Sequence, residues 1–133
     1  MTNELIFLDT NVLMELLFRR PQHDLVLASV MALPEQAIVC TSVLSAAILL
    51  YFVETEKLDK TVAYGFVKGY KILNMTHADY LWAEENDQGD FEDALQVGCA
   101  KRHGCSSLLT LDKKFDRMYG KYLSILALNK GSS

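Results

Sequence analysis

Several acidic side chains stand at positions where a sheet would bring them together. Asp9 and Asp112 each end a short apolar run that predicts a buried strand. Because ligands bind beyond the carboxyl ends of parallel strands, both carboxylates are expected on one rim of the sheet. Asp90 and Asp93, at i and i+3 where an intervening helix begins, share one face and the positive end of the helix dipole. The spacing therefore predicts an acidic cluster drawn from three chain segments.

Such a cluster points to a bound divalent cation. Carboxylates packed together repel one another and raise one another's pKa values unless a cation neutralises them. Oxygen ligands without a paired His or Cys nearby favour Mg²⁺ or Mn²⁺ over zinc. One or two such ions activate water and stabilise the transition state of phosphodiester hydrolysis.

The same acids also have purely structural interpretations. Asp90 and Asp93 fit the pattern of a helix capping box, and Asp9 and Asp112 can cap the helices that follow them. The three histidines are isolated from one another along the chain, so no nucleophilic triad is indicated. At this level the acids are either a metal centre or a set of helix caps.

Composition restricts the class of protein. Half of the 133 residues are hydrophobic and 23% are charged, which excludes disordered, collagen-like and disulfide-scaffold chains. The length predicts one domain over residues 1–128, with residues 129–133 as a disordered tail or a cloning remnant. Three cysteines without metal-ligand spacing and an N-terminus without a signal peptide or membrane anchor predict a cytoplasmic protein with no membrane partner.

Charge is segregated along the chain. The formal net charge is −4, so a polyanionic partner must meet a local basic patch. Residues 79–93 hold seven acids and no Lys or Arg, whereas residues 101–121 hold six basic residues against two acids. Lys113, Lys114 and Arg117 follow Asp112 closely, which places candidate nucleic-acid-binding cations beside the acidic cluster.

Short apolar runs alternate with segments of helical periodicity. Strands are predicted at 5–8, 37–41, 72–75, 107–111 and 122–126, and helices at 11–19, 25–33, 44–52, 59–71, about 80–82, 90–104 and 113–119. This alternation predicts an α/β fold, a three-layer α/β/α sandwich around a mainly parallel sheet with right-handed crossovers.

Three motifs follow one another along the chain: L-D-T-N-V-L at 8–13, D-F-E-D-A-L-Q at 90–96 and L-T-L-D-K-K-F at 109–115. Their sequences and their order resemble those of the PIN-domain family of ribonucleases. The likeness runs from residue 5 to about 126, and it implies a sheet of about five strands, metal-dependent RNA cleavage and frequent homodimers. Many small members are toxins of bacterial toxin–antitoxin pairs, like the VapC type, so a cognate antitoxin is an implied partner.

The resemblance also implies roles for individual residues. The ligands of Mg²⁺ or Mn²⁺ would be Asp9, Asp93 and Asp112, with Asp90 assisting. The residues that orient ligands or water would be Asn11 and Thr110. The expected activity is hydrolysis of RNA phosphodiester bonds by an endoribonuclease, and no separate general base is assignable.

One position departs from the family pattern. Members usually carry a glutamate on the helix after the second strand, in a pattern like S-x-x-S/T-x-A-E-L-x-Y, but this chain has Ile48 there. Glu54 follows six residues later, about 600° around a helix, and so far from the same face. Asp90 is the acid expected to supply the missing charge.

Two other functions stay open. With one acid fewer, the chain is either a nuclease or a PIN-like module that binds RNA or a protein partner without cutting it. Phosphoryl transfer of the haloacid-dehalogenase kind also uses an aspartate after the first strand. That chemistry normally needs a second acid two residues later, where this chain has Asn11.

Overall fold

A computed structural model describes residues 3–128 and shows a five-stranded parallel sheet. The strands are β1 (Leu5–Leu8), β2 (Ile38–Ser42), β3 (Lys71–Leu73), β4 (Ser107–Thr110) and β5 (Ser124–Ala127). They pair in the order β3-β2-β1-β4-β5, and every pair is parallel. The α/β fold with a parallel sheet that the sequence predicts is confirmed.

Helices connect the strands and cover both faces of the sheet. Within residues 3–128 they are α1 (Thr10–Phe18), α2 (His23–Met31), α3 (Val43–Thr55), α4 (Lys60–Val67), α5 (His77–Asn86), α6 (Phe91–Arg102) and α7 (Lys114–Tyr119). None of these helices is both long and apolar enough to cross a membrane.

The core consists of two apolar clusters on opposite faces of the sheet. Ile6 and Leu8 of β1 enter the cluster that α1 to α4 cover, whereas Phe7 between them enters the cluster that α5 to α7 cover. Side chains of a strand alternate between faces, and here both faces are buried. That burial explains why β1 is a continuous apolar run, and it produces the predicted three layers.

The boundary between α4 and β3 differs from the prediction. The helix predicted over 59–71 ends at Val67, and β3 begins at Lys71, one residue before the predicted strand. The helix ends before Gly69, a residue type of low helix propensity. Lys71 instead pairs with Cys40 in the sheet, a partner that helical periodicity does not reveal.

The sheet register sets where the polar residues lie. Leu8 of β1 pairs with Leu109 of β4, so the carboxyl ends of the two strands are side by side. The Asp9 amide continues the ladder with a 2.9 Å hydrogen bond to the Leu109 carbonyl. One domain over residues 1–128 stays a prediction, and the predicted tail at 129–133 lies outside the described residues.

Candidate metal-binding site

Asp9 lies at the end of β1 with only 3% of its surface exposed. It is the N-cap of α1, where its Oδ1 accepts a 2.8 Å hydrogen bond from the Thr10 amide. Its Oδ2 accepts a 2.8 Å hydrogen bond from the Thr110 hydroxyl of β4. Both carboxylate oxygens are therefore held in place while the helix is capped, so the capping and metal-binding interpretations are compatible.

Asn11 and Thr110 fasten this carboxylate to the neighbouring strand. The Asn11 side chain donates to Thr110 Oγ1 at 3.3 Å and accepts from the Leu111 amide at 3.2 Å. Thr110 Oγ1 also accepts from the Asp112 amide at 3.1 Å. Because this oxygen accepts twice, its own proton is directed to Asp9.

Three carboxylates meet above the end of β1. One oxygen each from Asp9, Glu92 and Asp93 lies within 4.8 Å of the other two. Oxygens on opposite sides of one Mg²⁺ stand about 4.2 Å apart, twice a ~2.1 Å bond. Three hard oxygen donors gathered this closely are the kind of ligand set that a small divalent cation binds. Among residues 3–128, no other set of three acidic, His or Cys residues brings its ligand atoms within 4.8 Å of one another.

Glu92 was not among the residues predicted for the site. It is the residue before Asp93, and neighbours in a helix project about 100° apart. Both reach Asp9 because they lie in the first turn of α6, directly over the end of β1. The D-F-E-D sequence, with its extra acid, was the available signal.

Asp90 and Asp112 lie outside the close trio. Asp90 is exposed and is the N-cap of α6, accepting a 3.1 Å hydrogen bond from the Asp93 amide. Asp112 accepts from the Lys114 amide at 2.9 Å where α7 begins. Asp112 is still close enough for its charge to raise the pKa values of both Asp9 and Asp93.

The pKa values of the three acids are raised, because the fold holds their carboxylates close together and partly out of water. Burial, opposed by hydrogen bonds from Thr110 and Thr10, raises the pKa of Asp9 to about 6. Burial, reinforced by the charges of Asp9, Asp90, Glu92 and Asp112, raises the pKa of Asp93 to about 8. Burial likewise raises the pKa of Glu92 above its usual value. A cation among them would relieve the desolvation and the repulsion together.

The carboxylates line a pocket of about 280 Å³. Its other residues are polar, apolar and cationic: Thr10, Asn11, Met14, Arg20, Ile48 and Phe52. The α3 side of this pocket is therefore apolar at Ile48. Glu54 forms an ion pair with Lys60 at the other end of α3 and is not among the lining residues.

The predicted basic patch is at the surface. Lys113 at the N-cap of α7, and Lys114 and Arg117 within that helix, are exposed in the segment that directly follows Asp112. Arg20 is also exposed and lines the acidic pocket itself. Cations thus lie at the pocket and in the segment after Asp112, although the chain is acidic overall.

Comparison with known proteins agrees with this geometry. A family model described as the PIN domain matches residues 6–121, which is most of the chain. The chain belongs to the PIN-domain family. No curated protein matches it by sequence.

Solved PIN-domain structures share this fold at low sequence identity. The chain is similar to a toxin–antitoxin complex from Klebsiella pneumoniae, with a TM-score of 0.71, 15% identity and coverage of 92% of this chain and 97% of the other. It is similar to VapC20 of Mycobacterium tuberculosis, described as a Sarcin-Ricin loop cleaving toxin, with a TM-score of 0.71, 16% identity and coverage of 90% of this chain and 97% of the other. It is also similar to FitAcB of Neisseria gonorrhoeae, with a TM-score of 0.72, 20% identity and coverage of 92% of this chain and 97% of the other.

The family assignment confirms the resemblance seen in the three sequence motifs. PIN domains are nucleases. Of the structures above, one is described as a toxin–antitoxin complex and one as a toxin. At these identities the structural likeness establishes the fold, and the role of each residue has to be argued from this chain.

Proposed function

We propose that this PIN-domain protein is a cytoplasmic endoribonuclease that requires Mg²⁺ or Mn²⁺ and acts as the toxin of a type II toxin–antitoxin pair. The observation that carries the proposal is the approach of the Asp9 and Asp93 carboxylates, from two distant segments, to within 4.8 Å of each other. The names of the neighbours, a Sarcin-Ricin loop cleaving toxin and a toxin–antitoxin complex, support the choice of RNA and of a toxin.

Asp9 and Asp93 would hold the cation, with the charge of Asp112 close by and Asp90 assisting from the helix cap. When bound, such an ion lowers the pKa of water and offsets the charge that develops on the phosphate. Asn11 and Thr110 keep the Asp9 carboxylate in one orientation through the hydrogen bonds described above. A ligand held in advance does not have to be ordered when substrate arrives.

The basic residues would position the RNA. Lys113, Lys114 and Arg117 are exposed and free to contact phosphates along the substrate. Arg20 lines the pocket and is placed to contact a phosphate near the carboxylates. Because Arg offers a planar fork of donors to a phosphate, Arg20 adds an anion-binding group to an otherwise acidic pocket.

The direct test is RNA cleavage with and without the cation. Wild type should cleave single-stranded RNA in Mg²⁺ or Mn²⁺, and EDTA should stop the reaction. Asp9→Asn should abolish cleavage while far-UV circular dichroism stays unchanged. Glu35→Gln, a change at an exposed acid, is the matched control and should cleave normally. Full activity of Asp9→Asn, or of wild type in EDTA, would contradict the proposal.

A second candidate is a module that binds RNA or a protein without cutting. The observation in its favour is that Ile48, which the sequence resemblance places at a glutamate position of the family pattern, is an apolar residue of the pocket. This candidate predicts that RNA affinity persists while no metal-stimulated turnover occurs, even at high protein concentration.

We also propose two protein partners, an antitoxin and a second copy of the chain. Support for the antitoxin comes from the neighbour of Klebsiella pneumoniae that is described as a toxin–antitoxin complex. Support for a homodimer comes from exposed apolar side chains on α3 and α4, of which Tyr51 and Val62 are 61% and 62% exposed. The molar mass of the purified chain without any partner, measured by light scattering, tests the homodimer.

A further inference from the structure

Ile48 leaves the α3 side of the pocket without a side chain that can bind a cation. It lies on α3 and lines the same pocket as Asp9, Glu92 and Asp93. An isoleucine side chain has no atom that binds a cation. If the pocket takes a divalent cation, a carboxylate from another element has to supply the charge that the family pattern places on α3.

Glu92 is positioned to supply this carboxylate. It reaches the same pocket from α6 rather than α3, and one of its oxygens lies within 4.8 Å of oxygens of both Asp9 and Asp93. The residue is only half-buried, so its long side chain is free to turn toward water. A specific contact must therefore keep its carboxylate beside the other two.

Gln96 supplies that contact. It is fully buried and follows Glu92 by four residues, one turn along the same face of α6. Its Nε2 lies 3.5 Å from Glu92 Oε2, a long hydrogen bond, and 2.8 Å from Ser45 Oγ. Its amide group thus joins the start of α3 to the carboxylate at the start of α6.

The orientation of the Gln96 amide is decided by Ser42. The Ser42 hydroxyl accepts from the Ser45 amide as the N-cap of α3 and donates a 2.6 Å hydrogen bond to Gln96 Oε1. With Oε1 engaged there, Nε2 faces Ser45, Thr10 and Glu92. Gln96 therefore presents its amide donor to the Glu92 carboxylate.

We propose that Glu92, positioned by Gln96, is the third carboxylate ligand of the centre and replaces the glutamate that Ile48 displaces. The inference rests on the proposed function, because it assumes a divalent cation. It moves one ligand from α3 to α6, so that Asp9 and two adjacent residues, Glu92 and Asp93, hold the cation. The α3 side of the pocket is left apolar.

Binding of Mn²⁺ alone, followed by electron paramagnetic resonance and isothermal titration calorimetry, tests the ligand role without RNA. Glu92→Gln should weaken Mn²⁺ binding about tenfold or more, since even partners of a ligand are worth 10–100-fold. Glu85→Gln, at an exposed acid on α5, should bind as wild type does. Equal affinity of Glu92→Gln and wild type would overturn the inference.

Restoring the α3 ligand provides an independent check. Ile48→Glu combined with Glu92→Gln should recover most of the lost Mn²⁺ affinity, whereas Ile48→Gln in the same background should not. Recovery supports the exchange of one ligand position for the other. Loss in Glu92→Gln with no recovery in the Ile48→Glu combination would overturn that exchange.

A double-mutant cycle separates the positioning role of Gln96 from a merely structural one. Gln96→Leu should weaken Mn²⁺ binding several-fold when Glu92 is present and should have little further effect in Glu92→Gln, because it acts through that carboxylate. Equal effects in both backgrounds would overturn the positioning role.

These outcomes also distinguish the inference from the proposed function. Wild type that binds no Mn²⁺ overturns both. Wild type that binds Mn²⁺ and needs Glu92, but does not cleave RNA, supports the ligand assignment and contradicts the nuclease.

Discussion

The Thr110 hydroxyl at the end of β4 donates a 2.8 Å hydrogen bond to Asp9 Oδ2 at the end of β1, across 101 residues of sequence. Both residues are buried, and the bond exists because Leu8 and Leu109 pair in the parallel sheet. Thr110 also accepts from Asn11 and from the Asp112 amide. One hydroxyl thus ties three residues of the proposed site together.

Thr110→Val should weaken both the fold and the metal site. The change removes the donor to Asp9 and leaves buried polar groups unpaired, so the free energy of unfolding should fall by about 1–3 kcal/mol. Mn²⁺ affinity should fall about tenfold, as is typical when the partner of a ligand is lost. Urea unfolding and calorimetry measure the two effects.

The control for this change is Thr41→Val. Thr41 is equally buried, and its hydroxyl donates to the Leu8 carbonyl at 2.9 Å rather than to an acid. It should lower stability without changing Mn²⁺ affinity. Similar losses of affinity in both variants would contradict a specific role for Thr110.

Without a divalent cation, stability should fall as pH rises. The pKa values of Asp9 and Asp93 are raised to about 6 and about 8, above their unfolded values, so the folded state binds more protons than the unfolded state between about pH 4 and 8. The stabilisation is complete below about pH 4 and is lost as pH passes these folded-state values. Urea unfolding in EDTA at pH 5 and pH 8 measures the slope.

Asp93→Asn should flatten this pH dependence, because the amide stays neutral. Glu35→Gln, at an exposed acid, should leave the slope as in wild type. Saturating Mg²⁺ should reverse the trend near pH 8, because the cation binds the ionised carboxylates of the folded state. A wild-type slope in Asp93→Asn would show that another group is responsible.

Two changes at Asp90 separate its cap from its charge. Asp90 accepts from the Asp93 amide at the N-cap of α6, so Asp90→Ala should lower the free energy of unfolding by about 1 kcal/mol. Asp90→Asn keeps a capping oxygen and should cost much less. Because Asp90 lies outside the close trio, Asp90→Asn should keep Mn²⁺ affinity within about twofold. If Asp90→Asn instead loses as much Mn²⁺ affinity as Asp93→Asn does, Asp90 is itself a ligand.

The basic patch should control the salt dependence of RNA binding. Lys113→Ala with Lys114→Ala, in an Asp9→Asn background that prevents cleavage, should reduce the slope of log affinity against log salt by about 0.7 for each phosphate contact removed from single-stranded RNA. Lys68→Ala, at an exposed position where α4 ends, is the control. An unchanged slope in the Lys113/Lys114 variant would place the RNA elsewhere.

Much of the fold was predictable because its signals are local. Continuous apolar runs indicate strands buried on both faces, and helical periodicity indicates the segments between them. The errors lie where two signals compete, as at Gly69 and Lys71, where pairing with β2 overrides an otherwise helical pattern. That pairing is a tertiary contact, which periodicity does not carry.

The site was predictable in part for the same reason. The rule for strand ends placed Asp9 on the rim, and the helix start placed Asp93 near it. The sequence analysis did not single out Glu92, because only the docking of α6 over β1 brings both Glu92 and Asp93 to Asp9. Gln96 was missed because a glutamine inside a helix has no signal until its buried partners are known.

The amino-acid sequence by itself determined the α/β class, the parallel sheet and the position of Asp9 and Asp93 at its carboxyl edge, since these follow from patterns within a few residues. The tertiary structure alone decided which oxygens meet. Asp9, Glu92 and Asp93 converge because β1 and β4 are in register and α6 begins above their ends. Distances of a few ångströms between segments 80 residues apart depend on packing, which no local pattern encodes.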